Sequence, residues 1–381
     1  MQTCDVLIVG GGIAGASAAY EIAPFAKVIL LERESQPGYH TTGRSAAVFA
    51  PAYGNRVICA LTAASHAFYR ERAGGLANHP VLAPRGALFV GREDQLTMLD
   101  ALQAEISAEV PGLGRLDGQQ LLARVPVLRA DYGAGGLYDP TSMDMDVAAI
   151  HQGHLRAFRA RGGQVVTDAE VSAIKTDPPP WRVETRAGSF EAAVLVDAAG
   201  AWADQLAEMA GVAPLGLAPK RRTAILFEPS IDPDPAWPVV IDADEEFYFK
   251  PESGLLLGSP ADETPVPPCD VQPEELDVAI AIDRIERAAS FRVTHVRRKW
   301  AGLRTFAPDK TPVVGMDESM PGFFWLAGQG GYGIQIAPAL ARAAAKLLVE
   351  GVLPDDLLGR GLVAEDLLPL RLRKASQPPA K

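Results

Sequence analysis

The chain opens on a short, nearly continuous apolar run, Asp5-Val6-Leu7-Ile8-Val9, the pattern of a strand covered on both faces. Glycines follow, and the alanine-rich stretch from Ile13 to Ile22 reads as a helix. Lys27-Val28-Ile29-Leu30-Leu31-Glu32 is a second buried run, ending on a carboxylate. Strand, glycine turn, helix and strand in that order predict a βαβ unit. Residues 35–56, with Gly38, Gly43 and Gly54, predict a long non-repetitive loop of the kind that usually carries function. Residues 57–145 mix helical with strand-like stretches such as Ala87-Leu88-Phe89-Val90, and predict the first piece of a second lobe. An amphipathic helix is expected over 146–161 and a short strand at Gln164-Val165-Val166.

Two strand-like runs, 170–176 and 181–187, flank Asp177-Pro178-Pro179-Pro180, which has almost no helical option. Ala193 to Gly200 is another buried strand ending in a glycine turn. Residues 216–300 alternate strand-like segments with proline-rich turns and a helix near 273–289. From Pro312 the pattern is turn, strand (Phe323 to Ala327), glycine cluster and helix, and the last dozen residues read as frayed. No repeat of solenoid period is present.

At 381 residues the chain exceeds what one hydrophobic core usually serves, so two lobes are expected. A net charge of −11 and a pI near 5.1 argue against a protein that neutralises phosphate backbones, so nucleic acid is not the expected partner. Cys4, Cys59 and Cys269 form neither a metal pattern nor a disulfide framework, which points to a reducing compartment. No basic region precedes an apolar stretch at the start. The most apolar window, residues 334–349, is interrupted by Pro338, Arg342 and Lys346. The expectation is a cytoplasmic chain with no transmembrane segment; peripheral contact with a membrane quinone pool stays open.

Gly10-x-Gly12-x-x-Gly15 matches the dinucleotide fingerprint. Its first glycine makes a tight turn, the second lets a pyrophosphate approach, and the third lets helix and strand pack closely. Glu32, 22 residues after Gly10, stands where an adenosine ribose would need an acceptor. In a chain with 36 glycines the expression alone occurs by chance about 0.3 times, so its context carries the weight. Gly328-x-Gly330-x-x-Gly333 is a second match, but no strand follows its helix. NAD and FAD both use such a site. The distant glycine cluster favours FAD, because helix-start amides suit the pyrimidine edge of a reduced flavin.

Together with Glu32-Arg33, the loop Thr41-Thr42-Gly43-Arg44-Ser45-Ala46-Ala47, Trp300-Ala301-Gly302-Leu303-Arg304, Pro308-Asp309 and Gly328 to Gln335, this array resembles the D-amino-acid oxidase/dehydrogenase family of FAD enzymes. Within that family its D-arginine dehydrogenase branch is the nearest in these residues. The resemblance implies a mixed α/β fold: a Rossmann-like FAD lobe with a β-meander, and a substrate lobe on a mixed or antiparallel sheet. It places the FAD lobe at residues 1–86, 146–215 and 302–381, and the substrate lobe at 87–145 and 216–301. It also implies noncovalent FAD, held by Gly10, Gly12, Ile13, Ala14, Gly15, Glu32 and Arg33. Thr42, Gly43, Arg44, Ser45 and Ala46 would follow along the path to the flavin. Val171 would meet the adenine through its backbone, Gly200 and Trp202 would also bind the cofactor, and Gly302 with Gly330, Gly331, Tyr332, Gly333, Ile334 and Gln335 would border the ring.

Oxidising an amino acid requires its carboxylate to be anchored so that the Cα–H faces flavin N5, which suits permanently charged, bidentate arginine. Arg304 and Arg222 are the expected anchors, Tyr53 and Tyr248 the matching phenols, and the Gly331 carbonyl the acceptor for the amine. The alternative for both tyrosines is packing with satisfied hydroxyls. No general base stands out; of six histidines only His40 lies inside a matching motif, while His66, His79, His151, His154 and His295 fall outside. Two departures bear on specificity: Ala87 stands where the relative has an acid for a guanidinium, and Val48 where it has a histidine. The expected activity is therefore oxidative deamination of neutral or apolar D-amino acids to 2-oxo acids and ammonia. Electrons would pass to a quinone or other acceptor rather than NAD. A glycine/sarcosine-type amine oxidase using oxygen and a non-catalytic flavin-binding subunit are the alternatives.

Overall fold

A computed structural model describes residues 1–71, 74–107, 110–175 and 180–375. The expected Pro-bridge at 177–179 and the frayed tail at 376–381 lie outside the described residues. In the first sheet, β1 (Gln2–Val9) runs parallel to β2 (Val28–Leu31) on one side and β12 (Gly188–Asp197) on the other. Beyond β2 lies β9 (Gln164–Val166), also parallel. The outer edge of β12 is shared. Residues 188–192 pair with β11 (Trp181–Thr185), which turns back on β10 (Val171–Lys175) as the expected meander. Residues 195–197 pair with β20 (Phe323–Ala327), itself antiparallel to β19 (Val313–Met316).

The apolar runs follow from burial on two faces. Val6 and Ile8 of β1 and Val28 and Leu30 of β2 join one core, beneath α1 (Ile13–Ile22), α2 (Arg56–Arg70) and α8 (Gly333–Glu350). The alternate residues Leu7, Val9, Ile29 and Leu31 join the other, with Trp181, Phe190 and α6 (Ala203–Met209). Period-two alternation assigns successive residues to opposite faces, and both faces here are dry.

The second sheet has ten strands and mixed direction. In order it runs β21 (Gln329–Gly330), β18 (Val293–Phe306), β13 (Ala218–Pro229), β16 (Leu255–Ser259), β15 (Tyr248–Glu252), β14 (Val239–Asp242), β5 (Ala87–Gly91), β7 (Gly135–Asp139) and β6 (Gly114–Asp117). β17 (Thr264–Pro265) pairs with β13, and β14 with β5 is a parallel pair within this sheet. One face buries Ile225, Phe227, Phe249 and Leu256 against α7 (Glu275–Ala288) and, farther along, Leu88 and Val90 against α4 (Gly118–Arg124). The expected lobe boundary at 301/302 falls inside β18, because this 14-residue strand stays paired with β13 up to Phe306. A small third sheet joins β3 (Val48–Phe49), β8 (Met143–Met145) and β4 (Leu82–Pro84). Ala87 lies inside β5, 1% exposed, rather than in a loop over a pocket, since it is paired with Asp139 on one side and Val239 on the other.

Pro338 does not end α8. Proline has no N–H, so the Ile334 carbonyl one turn earlier lacks its helical donor. The buried Tyr69 hydroxyl on α2 donates to that carbonyl instead. No helix among the described residues is long and apolar enough to cross a membrane.

Two outcomes follow from this packing. Tyr69→Phe is expected to lower the unfolding free energy by about 1–3 kcal/mol, and Pro338→Ala in that background to recover part of it, because alanine restores the missing N–H. Urea titrations of the single and double variants check this, and equal losses with and without Pro338 would refute it. His154 on α5 (Val147–Ala160) is buried between the Tyr20 and Phe68 rings, and burial lowers its imidazole to about 4. An unfolded histidine titrates near about 6.5. Between those values the unfolded chain binds the extra proton, so stability is complete above pH 6.5 and falls as pH drops toward 4. The urea midpoint of His154→Phe should lose part of that dependence between pH 7 and 5, and an unaltered slope would contradict the assignment.

Candidate functional site

Where the first sheet meets the second, a cavity of about 350 Å³ runs from the end of β1 and β2 to the exposed face of β13 and β18. Its first wall is the turn after β1. Gly10 has φ +113°, and a Cβ there would lie 2.2 Å from the Ala198 carbonyl oxygen, so no side chain fits. Gly15 lies behind the wall: its Cβ would come 1.9 Å from the Gly10 oxygen, which makes it a close-packing residue. The first turn of α1 has no side-chain cap at Gly12. The Ile13 N–H is taken by Thr42 Oγ1 at 3.0 Å, while the Gly12, Ala14 and Gly15 N–H groups have no partner among the described residues. Free amides at a helix start form an anion cradle.

At the next station Glu32 accepts from the Gly11 N–H (2.9 Å) and the Glu34 N–H (3.0 Å). Burial raises its pKa against the pull of those two amides. Both carboxylate oxygens keep a lone pair for ribose hydroxyls. Arg33 pairs with Glu170 at 2.9 Å and lies 4.9 Å over the Trp202 ring; His40 pairs with Glu34 and packs 4.8 Å from the same ring. Val171 and Gly200 complete this end of the lining.

The loop of residues 41–46 lines the middle, Gly43 excepted. Gly43 donates to the Gly38 carbonyl at 2.8 Å and closes the turn from behind. Arg44 does not aim its charge into the cavity: Nη1 donates to the Val271 and Ala301 carbonyls and Nη2 to Asp270, stapling the second lobe to this loop. Gly302 leaves the Arg44 stem room, its Cβ position being 3.4 Å from the Arg44 Cβ. At the start of α8 the Gly333, Ile334 and Gln335 N–H groups have no partner among the described residues. Tyr332 and Gln335 support this turn without lining the cavity. Gln335 bonds Thr62 Oγ1 and, in both directions, the Ala50 backbone.

Arg304 closes the far end. On one face of the antiparallel pair, Lys220 stands opposite Arg304 and Arg222 opposite Gly302, so the two guanidinium groups share a face with space between them. They are not equivalent. Arg222 donates through Nε to the Asp262 carbonyl (2.8 Å) and through Nη2 to Glu263 (3.4 Å). Arg304 is half-buried, its protein bond is to the Tyr53 hydroxyl at 3.3 Å, and it has no carboxylate partner among the described residues. Burial works against its charge, and the neighbouring Tyr53, Tyr248 and Tyr332 phenols outweigh it, raising its pKa. Gly331 leaves the guanidinium its room, since a Cβ there would lie 2.9 Å from the Arg304 guanidinium carbon and displace it. Its carbonyl has no partner among the described residues. Tyr248 lines the cavity; Tyr53 stands behind Arg304 with its ring 5.0 Å from Tyr332. The acids and the histidine of the lining, Glu32, Glu170 and His40, all sit at the adenosine end.

These donors fit an adenine dinucleotide flavin: an amide cradle, a ribose acceptor and a second set of helix-start amides, in order along one channel. Sequence reasoning missed Arg222's prior engagement, Arg44's stapling role and the contact of His151 with Gly11, because long-range partners leave no local pattern.

The chain matches the family model described as FAD dependent oxidoreductase (DAO) over residues 5–347. It is 26% identical to FAD-dependent oxidoreductase domain-containing protein 1 of Xenopus laevis, over 92% of this chain and 80% of that one. It is also 26% identical to human mitochondrial sarcosine dehydrogenase, over 94% and 41%, and 30% identical to L-2-hydroxyglutarate dehydrogenase of Escherichia coli, over 55% and 50%. The chain thus spans half or less of those last two relatives. Among solved structures it resembles glycine oxidase from Geobacillus kaustophilus (TM-score 0.78, 23% identity, 91% and 95% covered) and L-proline dehydrogenase from P. horikoshii (0.84, 19%, 99% and 100%). These names span several substrates, so the D-arginine dehydrogenase branch is not singled out, and what stands is the family.

Glu32→Ala is expected to weaken cofactor binding by roughly ten- to a hundredfold, the worth of hydrogen bonds to a charged acceptor. Equilibrium titration followed by flavin fluorescence measures it, and unchanged affinity would contradict the ribose role. With its amide cradles in one channel and its match from residue 5 to 347, the chain belongs to the DAO family of FAD-dependent oxidoreductases, and FAD is its cofactor.

Proposed function

We propose that the protein oxidises the Cα–N bond of small amino acids, with neutral or apolar D-amino acids as the preferred class. The observation that carries this reading is Arg304: a half-buried guanidinium at the end of the cofactor channel with phenols around it and, among the described residues, no acid paired with it. A buried cation left without a counter-charge is costly unless a ligand supplies one. A substrate carboxylate does so with bidentate geometry. Tyr248 adds a neutral hydroxyl, Tyr53 steadies Arg304 from behind, and the Gly331 carbonyl accepts from the substrate nitrogen. Arg222, held by Asp262 and Glu263, shapes the wall beside the carboxylate and adds positive potential.

Bound FAD supplies a two-electron acceptor for the hydride leaving Cα. The chain's part is to fix the carboxylate and the amine so that this carbon faces the ring, with the Gly331 carbonyl as the hydrogen-bond acceptor near the nitrogen. An amine that arrives unprotonated needs no protein base, whereas a hydroxy acid must lose a hydroxyl proton. The Arg304 end of the cavity holds the Tyr248 phenol and no histidine, aspartate or glutamate among its described lining residues, which favours an amine over a 2-hydroxy acid. Loss of hydride from carbon and a proton from nitrogen leaves an imine, which water hydrolyses to a 2-oxo acid and ammonia.

Neutral side chains are favoured because the acids of the described lining, Glu32 and Glu170, stand at the far end from Arg304, and neither Val48 nor Asp144 lines the cavity. Val48 stands opposite Asp144 in the small sheet, and Asp144 is bonded by Arg85 Nε and Lys250 Nζ, both at 2.7 Å. A cationic substrate side chain finds no free acid there. Noncovalent FAD fits the absence of Cys4, Cys59 and Cys269 from the lining. A glycine- or sarcosine-type amine oxidase is the second reading, supported by the relatives' names.

Anaerobic mixing with D- and L-amino acids, glycine, sarcosine and L-2-hydroxyglutarate, while following bleaching of the flavin band, tests the proposal. D-leucine and D-methionine should bleach it fastest and D-arginine at least tenfold more slowly in kcat/KM, a difference of about 1.4 kcal/mol. Fastest bleaching by sarcosine or glycine with oxygen uptake would establish the second reading. Bleaching by the hydroxy acid, or by no amine, would overturn the proposal.

A further inference from the structure

His151 stands outside every motif in the sequence, yet it touches both loops that enclose the phosphate end of the channel. It lies on α5, is 3% exposed, and places Nε2 at 2.9 Å from the Gly11 carbonyl oxygen. A carbonyl only accepts, so Nε2 carries the proton. On its other side the ring covers Gly38, where a Cβ would lie 2.8 Å from Cε1 and 3.0 Å from Nδ1. Gly38 begins the turn that Gly43 closes and that carries Thr42, the partner of Ile13.

We propose that His151 is a positioning residue for the cofactor's pyrophosphate, holding the Gly11 carbonyl so that the Gly12 N–H is aimed into the channel. The Gly11–Gly12 peptide is planar and trans, so its C=O and N–H point in opposite directions. With the carbonyl turned toward α5, the Gly12 N–H faces away from it. Gly12 lines the channel and its N–H has no partner among the described residues. The Gly11 N–H is fixed in turn by Glu32 Oε2 at 2.9 Å. Consecutive glycines resist rotation weakly, because both signs of φ are open to them. One imidazole and one carboxylate thus set the plane that a phosphate oxygen meets. The contact with Gly38 makes the same ring a spacer that keeps the loop of Thr42 against the helix start. Burial lowers the ring's pKa and so favours the neutral imidazole, whose Nε2–H is the donor to Gly11.

The test uses purified holoenzyme and two variants. His151→Phe keeps a ring and removes the donor, and His151→Gln keeps an N–H at similar reach. FAD affinity is read from recovery of free-flavin fluorescence on dilution, and thermal midpoints are taken with and without added FAD. His151→Phe should bind FAD roughly ten- to a hundredfold more weakly, the worth of a hydrogen bond to a charged group. His151→Gln should recover most of that loss, and the FAD-induced rise in midpoint should shrink in the first and return in the second. Unchanged FAD affinity in His151→Phe, equal weakening in both variants, or a lower midpoint with an intact FAD response would each overturn the proposal. Should His151→Phe fail to fold, Gly38→Ala probes the contact from the other loop. It should weaken FAD by a similar factor, and wild-type affinity there would overturn the proposal.

Discussion

An uncompensated positive charge organises the substrate end of this molecule. Arg304 is carried by a long strand into a half-buried position where tyrosines, not acids, surround it. Such a charge is destabilising unless something of opposite sign arrives. The fold could have neutralised it, as it does for Arg222, Arg44 and Lys250, each of which has an acidic partner. Arg304 alone among these four is left with phenols, and on the proposed function that cost in the free protein would become selectivity for a carboxylate.

The two sheets make this arrangement possible. The parallel sheet ends on glycine turns whose amides can approach a dinucleotide, and Glu32 sits at the next strand end. The mixed sheet presents one apolar face to α7 and α4 and the other to the channel, so alternate residues of β13 and β18 divide between core and site. β18 belongs to both regions: its outer half is part of the substrate sheet, while Gly302 to Thr305 lines the channel. The Arg44 staple to Val271, Ala301 and Asp270 fixes the angle at which the two regions meet. Small shifts there would move Arg304 relative to the channel lining.

Much of the fold was legible because its signals are local. Val6 to Val9 and Val28 to Leu31 are continuous apolar runs, and they are buried on both faces. The glycines at 10, 12 and 15 each have a steric reason visible in their spacing, and the meander at 171–185 follows from its flanking strand patterns. Pro338 reads as an interruption, yet the helix continues because Tyr69, 269 positions before it in sequence, supplies the missing donor. Arg222 and Arg304 look alike as strand arginines, and only the fold shows that Asp262 and Glu263 have claimed one of them. Ala87 opens a run that reads as a strand and is one, and its pairing on both sides leaves it buried rather than facing a ligand. His151 carries no local signal at all, since its partner lies 140 residues away.

The central claim is that Arg304 is the carboxylate anchor, and binding of an unreactive carboxylate tests it most directly. Titrating the oxidised holoenzyme with 3-methylbutanoate and following the flavin absorbance separates binding from chemistry. The wild-type spectrum should shift with saturation, and Arg304→Met should bind at least a hundredfold more weakly, about 2.7 kcal/mol, while retaining FAD. Equal affinity in the two proteins, or a carboxylate that leaves the flavin spectrum untouched, would contradict the account.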